Sequence, residues 1–163
     1  MTWDLVARPA AARLRPARLG QLAVSVAAVP DRWRSLVRFE AARRWYRRLE
    51  LSDDYEIWLL SWLPGQETGF HDHGDANGAF TVARGQLLER TAAAGRPQVA
   101  SRVLQAGSLR SFGRRHLHNV GNVSAEPALS IHAYSPPLTA MRRYEMTGRG
   151  PVRAATDAAG QNW

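Results

Sequence analysis

The chain has no cysteine and no lysine among its 163 residues, and it has no long hydrophobic run. Without cysteine there can be no disulfide, no cysteine-ligated zinc ribbon and no catalytic thiol. Its apolar stretches fall well short of the ~20 residues that a transmembrane helix needs. The missing cysteine is compatible with a reducing compartment. We therefore expect a cytoplasmic protein with no membrane partner.

The net charge of +8 comes from 22 basic residues, all of them arginine. A strongly basic chain first suggests a nucleic-acid partner. These arginines are scattered over the whole chain, however, with pairs at 43–44, 47–48, 114–115 and 142–143. They form no basic arm and belong to no nucleic-acid-binding motif. The sequence therefore does not favour nucleic-acid binding.

Residues 1–50 are predicted to form a helical segment that packs on the rest of a single domain. An irregular start to residue 15 is followed by a short helix to about residue 28, indicated by apolar residues at helical spacing. Pro30 and Asp31 provide the start of a second helix. An apolar stripe that begins at Trp33 predicts that this helix continues to about Leu49.

After the predicted helical segment, the sequence consists of short segments separated by Gly, Pro or Asn, a pattern typical of β-strands. Strands are predicted at 55–63, 68–73, 79–84, 86–91, 99–105, 108–112, 117–121 and 127–135. Helices followed by about eight strands favour an all-β barrel, over residues 51–146, with a helical front piece. Residues 147–163 lack periodicity and are expected to form a flexible tail.

Two of the five histidines, His71 and His73, are one residue apart. Alternate side chains of a strand point to the same face, so both imidazoles can point into the barrel and bind one metal ion. Neutral imidazole suits iron, zinc, copper or nickel, and the pair alone does not select among them. A pair of surface histidines would give the same pattern.

The residues around this pair resemble the first sequence motif of the cupin superfamily. Gly65, five residues, His71, one residue and His73 are followed by Gly85 at the expected distance. In the motif, three or four residues normally separate the second histidine from a glutamate ligand. Asn77 and a glycine hold those positions here.

A second cupin motif is similar to the segment that contains Gly107, His118 and Asn122. Its spacing favours His118 as a third ligand. His116, two residues earlier, is the alternative.

A three-histidine cupin site without the glutamate is similar to that of the thiol dioxygenases, the cysteine dioxygenase type I family in particular. The sequences HDH at 71–73, HNVGNVS at 118–124 and SIHAYSPP at 130–137 carry the resemblance, which extends over residues 46–146. The similarity is to the bacterial branch. It implies a cupin fold, a double-stranded β-helix barrel with short N-terminal helices.

The resemblance also implies that His71, His73 and His118 hold Fe(II), and that the protein uses O2 to oxidise a small thiol. L-cysteine would become cysteine sulfinic acid. A site without an anionic protein ligand leaves more positive charge for a thiolate to neutralise, which suits a sulfur donor.

Ser130, His132 and Tyr134 alternate along one strand and match a Ser-His-Tyr chain of the family. By this resemblance Tyr134 offers its hydroxyl to the substrate or to oxygen, His132 orients Tyr134, and Ser130 orients His132. An ordinary polar strand face would show the same alternation. The family also has a cis peptide at the bond that matches Ser135–Pro136.

The substrate carboxylate needs a cationic partner, and the planar guanidinium of arginine can donate two hydrogen bonds to it. The family has an arginine two residues after a tyrosine, just before the barrel. Tyr46 and Arg48 match that offset, so Arg48 is the predicted substrate-binding arginine. A solvated cluster of arginines is the alternative explanation.

The mammalian enzymes of the family cross-link a cysteine to the strand tyrosine, and Gly78 stands at the cysteine position here. Tyr134 is therefore expected to be a free phenol.

Alternative functions remain open at this point. The substrate could be 3-mercaptopropionate or another small thiol. Three histidines and a water also describe a zinc-dependent site, and a cupin can bind a small molecule without catalysis. A monomer or a weak homo-oligomer is expected.

Overall fold

The structure is a computed structural model that describes residues 13–158. One α-helix, α1, spans Pro16–Ala27, and two 3₁₀ turns follow at Pro30–Arg32 and Arg34–Leu36. The strands are β1 Trp45–Leu51, β2 Glu56–Trp62, β3 Phe70–Asp72, β4 Asn77–Arg84, β5 Gln86–Ala92, β6 Val99–Gln105, β7 Leu109–Phe112, β8 Leu117–Gly121, β9 Ala128–Ser135, β10 Ala140–Thr147 and β11 Gly150–Ala158. Within residues 13–158, no helix is long and apolar enough to cross a membrane.

The strands form two antiparallel sheets that face each other. The first has the order β1-β2-β9-β4-β7, and the second has the order β11-β10-β3-β8-β5-β6. The all-β fold predicted from the sequence is confirmed. The eight predicted strands correspond to β2–β9, because alternating apolar residues and glycine-containing turns mark them in the sequence.

The central strands of the first sheet, β2, β9 and β4, are buried on both faces. Between the sheets lie Trp58, Trp62 and Phe80, with Leu87 from the second sheet. The opposite face packs against α1 through a second cluster, which includes Leu19, Ala23, Val26, Ile57, Leu59 and Ile131. All seven residues of β2 are therefore buried. The N-terminal segment covers one sheet and leaves the space between the sheets for the site.

The predicted second helix is wrong. Residues 45–51 form β1, which pairs with β2 so that Tyr46 lies opposite Leu60 and Arg48 opposite Trp58. Only two 3₁₀ turns form at Pro30–Arg32 and Arg34–Leu36. The two aromatic residues of β1, Trp45 and Tyr46, favour a strand, and pairing with β2 overrides the short helical stripe.

The predicted barrel bounds of 51–146 and the flexible tail also need correction. β1 begins before residue 51, and β11 pairs with β10 along its whole length, from Ala140↔Ala158 to Thr147↔Gly150. Most of β11 is exposed, so it lacks the apolar alternation that reveals a strand in sequence. Residues 159–163 of the predicted tail, and residues 1–12 of the predicted irregular start, lie outside the described residues.

The β10–β11 turn can be tested at Gly150, which is buried and has φ +109°. A Cβ atom there would lie 2.8 Å from the backbone nitrogen and oxygen of Arg96. Gly150→Ala should therefore lower the free energy of unfolding by about 1–3 kcal/mol in urea denaturation. Gly148→Ala is the control, since a Cβ atom at Gly148 meets nothing within 4 Å. Equal losses in the two variants would contradict this account of the turn.

Candidate metal centre

Three histidines meet between the sheets. His71 on β3 lies directly opposite His118 on β8, and His73 follows at the end of β3. The ring centroids are 4.7 to 5.2 Å apart, and the Nε2 atoms of His71 and His73 are 3.2 Å apart. One ligand atom from each residue lies within 4.8 Å of the others. The register of β3 with β8 thus places three imidazoles around one point.

The three imidazoles are buried and uncharged. Burial lowers the pKa of His71 and of His73 well below the usual histidine range, and neighbouring histidines lower both further. Burial also lowers the pKa of His118, although a hydrogen bond to Glu89 opposes this effect. Neutral imidazole is the form that binds a metal ion.

Hydrogen bonds fix the tautomers of two of these histidines. The Nδ1 atom of His71 lies 3.0 Å from the carbonyl oxygen of Gly69, and that of His118 lies 2.9 Å from a carboxylate oxygen of Glu89. Both oxygens can only accept, so each Nδ1 carries the proton and each Nε2 keeps its lone pair. Two Nε2 atoms are therefore available as ligands.

His73 is held by ring contacts. Its ring stacks on Phe112 at 5.4 Å and lies 4.7 Å from the ring of Tyr134. The Nδ1 atom of His73 is buried and has no hydrogen-bond partner. Packing fixes this ring, while a free nitrogen remains inside the protein.

The donor set fits a divalent metal ion. It consists of three neutral nitrogen donors, a combination that suits iron, zinc, copper or nickel. Asn77, at one position where cupins usually have the glutamate, donates its side-chain amide to the carbonyl oxygen of Leu14. The geometry groups His118 with the pair, whereas His116 lies with Glu89 and His118 in a second group.

The predicted Ser-His-Tyr chain is present on β9. The Oγ atom of Ser130 lies 2.8 Å from Nε2 of His132, and Nδ1 of His132 lies 3.1 Å from the Tyr134 hydroxyl. The indole of Trp62 donates to the same Oγ atom at 2.8 Å. Trp62 and Ser130 are 68 residues apart, so this contact cannot be recognised from local sequence. The Ser135–Pro136 peptide bond is cis, as the resemblance implied.

The chain of hydrogen bonds has a consistent direction. Trp62 can only donate to Ser130, which can donate to His132, which can donate to Tyr134. Burial is the main cause that lowers the pKa of His132 to about 3, and the neighbouring His118 and Arg44 lower it further. Burial raises the pKa of Tyr134 above its usual value, with a further rise from Glu56 and an opposing effect of Arg44. Tyr134 is therefore a protonated phenol beside the histidines.

Arg48 does not line the cavity at the three histidines. Its guanidinium lies 3.6 Å from the buried carboxylate of Glu56 and 5.4 Å from the Trp58 ring centroid, and its side chain is 46% exposed. The cavity is instead lined by Arg44, Leu60, Thr68, His71, His118, Val120, His132, Tyr134 and Met141.

Arg44 is the residue that sequence reasoning missed. It is only 8% exposed, and its guanidinium lies 5.0 Å from the ring centroid of Trp62. Burial, with the positive charge of Arg143, lowers its pKa to about 10. Arg44 directly precedes β1 and lies four residues before Arg48, so strand alternation predicts the same side for both, and only burial distinguishes them.

An open cleft leads to the cavity. It has a volume of about 330 Å³ and is lined by Ala41, Ala42, Arg43, Arg44, Gln66, Glu67, Thr68 and Arg143. Arg44 and Thr68 line both the cleft and the cavity. Arg44 therefore lies at the boundary between the cleft and the cavity.

The family model and the similar proteins of known function carry the same description. Residues 11–147 match the family described as Cysteine dioxygenase type I. A Cysteine dioxygenase type 1 from Danio rerio is 32% identical over 130 residues, covering 71% of this chain and 63% of the relative. The one from Bos taurus is 26% identical over 127 residues, covering 71% and 62%. The alignments thus cover less than two thirds of the length of these relatives.

Two solved structures share the fold. A protein from Thermus thermophilus has a TM-score of 0.57 and 22% identity, covering 64% of this chain and 93% of its own. A Klebsiella pneumoniae protein with a double-stranded β-helix domain has a TM-score of 0.56 and 18% identity, covering 75% and 93%. The predicted double-stranded β-helix is confirmed.

The low pKa of His132 predicts acid sensitivity of the metal-free protein. A folded-state pKa of about 3 lies below the unfolded value of about 6.5, so the unfolded state takes up a proton first as the pH falls. Above the unfolded-state pKa, keeping His132 neutral costs no free energy of unfolding. Below it, each such histidine lowers the free energy of unfolding by about 1.4 kcal/mol per pH unit.

His132→Gln removes one of these titrating groups. Urea denaturation from neutral pH down to pH ~5 should give a shallower loss of stability in this variant than in the wild type. The comparison uses the slopes, so an overall change in stability does not affect it. Identical slopes would show that His132 is not held neutral by the fold.

Proposed function

The chain belongs to the cysteine dioxygenase type I family, and from that premise we propose that it is a non-haem Fe(II) dioxygenase of small thiols. L-cysteine is the proposed substrate, and cysteine sulfinic acid is the product. The observation that carries the proposal is one cavity lined by neutral histidines, a phenol and a buried arginine. The thiol gains both atoms of O2 at sulfur, so the reaction balances without another reductant.

The metal site supports this chemistry through its charge. When bound, Fe(II) supplies adjacent positions at which a thiolate and O2 react as if they were parts of one molecule. His71, His73 and His118 are neutral, so the positive charge of the ion is left for the anionic sulfur.

Arg44, in place of the predicted Arg48, is the proposed partner of the substrate carboxylate. Among the described residues, no carboxylate forms an ion pair with Arg44, and a buried charge without a counterion is costly. A pKa of about 10 keeps its guanidinium charged at neutral pH. A carboxylate that entered the cavity would supply the missing counterion and form charge-assisted hydrogen bonds.

Tyr134 is the proposed proton donor to the bound substrate or oxygen. When Ser130 donates to His132, Tyr134 accepts a hydrogen bond from His132 and retains its own proton. Its raised pKa keeps that proton in place at neutral pH. Ser130 and His132 act by orienting the phenol.

The activity is tested with protein reconstituted with Fe(II) without oxygen, then mixed with isotopically labelled O2 and one thiol at a time. L-cysteine should consume one O2 per thiol and give a sulfinate that carries two labelled oxygens. Comparison with 3-mercaptopropionate and cysteamine ranks the substrates, because cysteamine lacks the carboxylate. Iron-loaded protein that takes up no O2 with any of the three thiols would contradict the proposal and favour a zinc or binding role.

The two arginines form a matched pair for testing carboxylate recognition. Arg44→Gln should raise the KM for L-cysteine about tenfold or more, a loss of ~1.4 kcal/mol or more in binding. The KM for cysteamine should change little, because that thiol has no carboxylate to lose. Arg48→Gln removes a charge of the same kind that is already paired with Glu56, and should have the smaller effect.

Steady-state O2 consumption with both thiols measures these effects. A larger rise in the KM for L-cysteine with Arg48→Gln than with Arg44→Gln would return the assignment to Arg48.

A further inference from the structure

A carboxylate is buried behind the third histidine. Glu89 on β5 is only 1% exposed and lies opposite Val120 of β8. His118 is two residues from Val120, so it occupies the same face of the sheet, diagonally across from Glu89. A glutamate in this position is far too buried to be a solvated strand residue.

The carboxylate is fully engaged by three donors. One oxygen accepts hydrogen bonds from Nδ1 of His118 at 2.9 Å and from Nε2 of His116 at 3.1 Å. The other oxygen accepts a hydrogen bond from Nε of Arg110. Since Arg110 balances the charge, Glu89 can remain an anion inside the barrel.

The three metal-site histidines differ in what lies behind them. His71 donates to a backbone carbonyl, and His73 has no hydrogen-bond partner at Nδ1. Only His118 donates to an anion. A carboxylate that accepts this proton fixes the tautomer and the ring orientation and makes the imidazole a stronger donor to a metal.

We propose that Glu89 is a positioning residue for metal binding, and that it acts through His118 with Arg110 and His116 as its supports. The site has no glutamate ligand, but the Glu89 carboxylate is hydrogen-bonded to one of the three histidines that would hold the metal. The proposal rests on the proposed function only in that a metal ion occupies the three-histidine site.

His116 gains a role in this arrangement. It holds the Glu89 oxygen that also accepts from His118, and its ring stacks on Phe112 at 4.5 Å. Phe112 in turn stacks on His73. His116 thus supports His118 through Glu89 and supports His73 through Phe112. In this proposal it is not itself a ligand.

Glu89→Gln tests the proposal, because it keeps the shape and one acceptor oxygen but removes the charge. Fe(II) affinity, measured by anaerobic competition with a chelator, should fall by about 10- to 100-fold. The Fe(III)/Fe(II) potential should rise, since the charge that favours the oxidised ion is lost. A purely structural role for Glu89 would not move this potential.

Glu50→Gln is the matched control. Glu50 also accepts a hydrogen bond from an arginine, Arg32, at 2.6 Å, but it has no contact with the histidines. Its variant should bind Fe(II) with wild-type affinity and potential. Wild-type affinity and potential in Glu89→Gln would overturn the proposal.

If Glu89→Gln does not fold, His116→Gln and Arg110→Gln carry the test, since these side chains are 20% and 24% exposed. His116→Gln should weaken Fe(II) binding by a smaller factor, because it removes one hydrogen bond that holds Glu89. Arg110→Gln removes the cation that balances Glu89 and should therefore lower the Fe(III)/Fe(II) potential. Wild-type affinity in the first variant together with a wild-type potential in the second would overturn the proposal. These measurements use no thiol and no O2. Wild-type protein that binds Fe(II) tightly and oxidises no thiol would therefore contradict the proposed function alone.

Discussion

The antiparallel pairing of β3 with β8 is the constraint on which the site depends. It sets His71 opposite His118, and His73 follows two residues along the chain. A shift of one residue would turn the side chains of β3 to the other face. The barrel interior then keeps the imidazoles neutral, because burial lowers the pKa of each. Register and burial together create a nitrogen site without any charge of its own.

Charge is distributed around this neutral centre in a definite order. The anion Glu89 lies behind His118, where Arg110 balances it. On the side of the cavity that faces the cleft lies Arg44, for which no described carboxylate provides balance. A metal ion would add further positive charge at the centre. This distribution of charge supports the proposed substrate, a small anion with a thiolate at one end and a carboxylate at the other.

The barrel and the grouping of the three histidines could be predicted from the sequence, because both depend on local patterns. Short apolar segments with glycine turns mark β2–β9, and two motifs mark His71, His73 and His118. The incorrect predictions for β1 and β11 have a different origin. Most of β11 is exposed and lacks apolar alternation, and β1 became a strand only by pairing with β2. In both, tertiary pairing decided the structure.

The arginine and the glutamate show the same limit at the level of single residues. Arg44, just before β1, and Arg48, within it, both lie over tryptophan rings of β2, and only their depth and the position of Glu56 separate their roles. From the sequence alone, Glu89 is indistinguishable from an ordinary polar residue of a strand, because its partners Arg110 and His118 lie 21 and 29 residues away. Long-range contacts of this kind require the fold.

The central claim is that one iron ion, held by three histidines, presents a coordination face to a thiolate. X-ray absorption at the iron edge, on anaerobic Fe(II) protein with L-cysteine, tests it most directly. The account predicts three imidazole nitrogens from the protein and one sulfur from the substrate, with the sulfur absent when cysteine is omitted. A spectrum without sulfur, or with a protein carboxylate among the ligands, would contradict it.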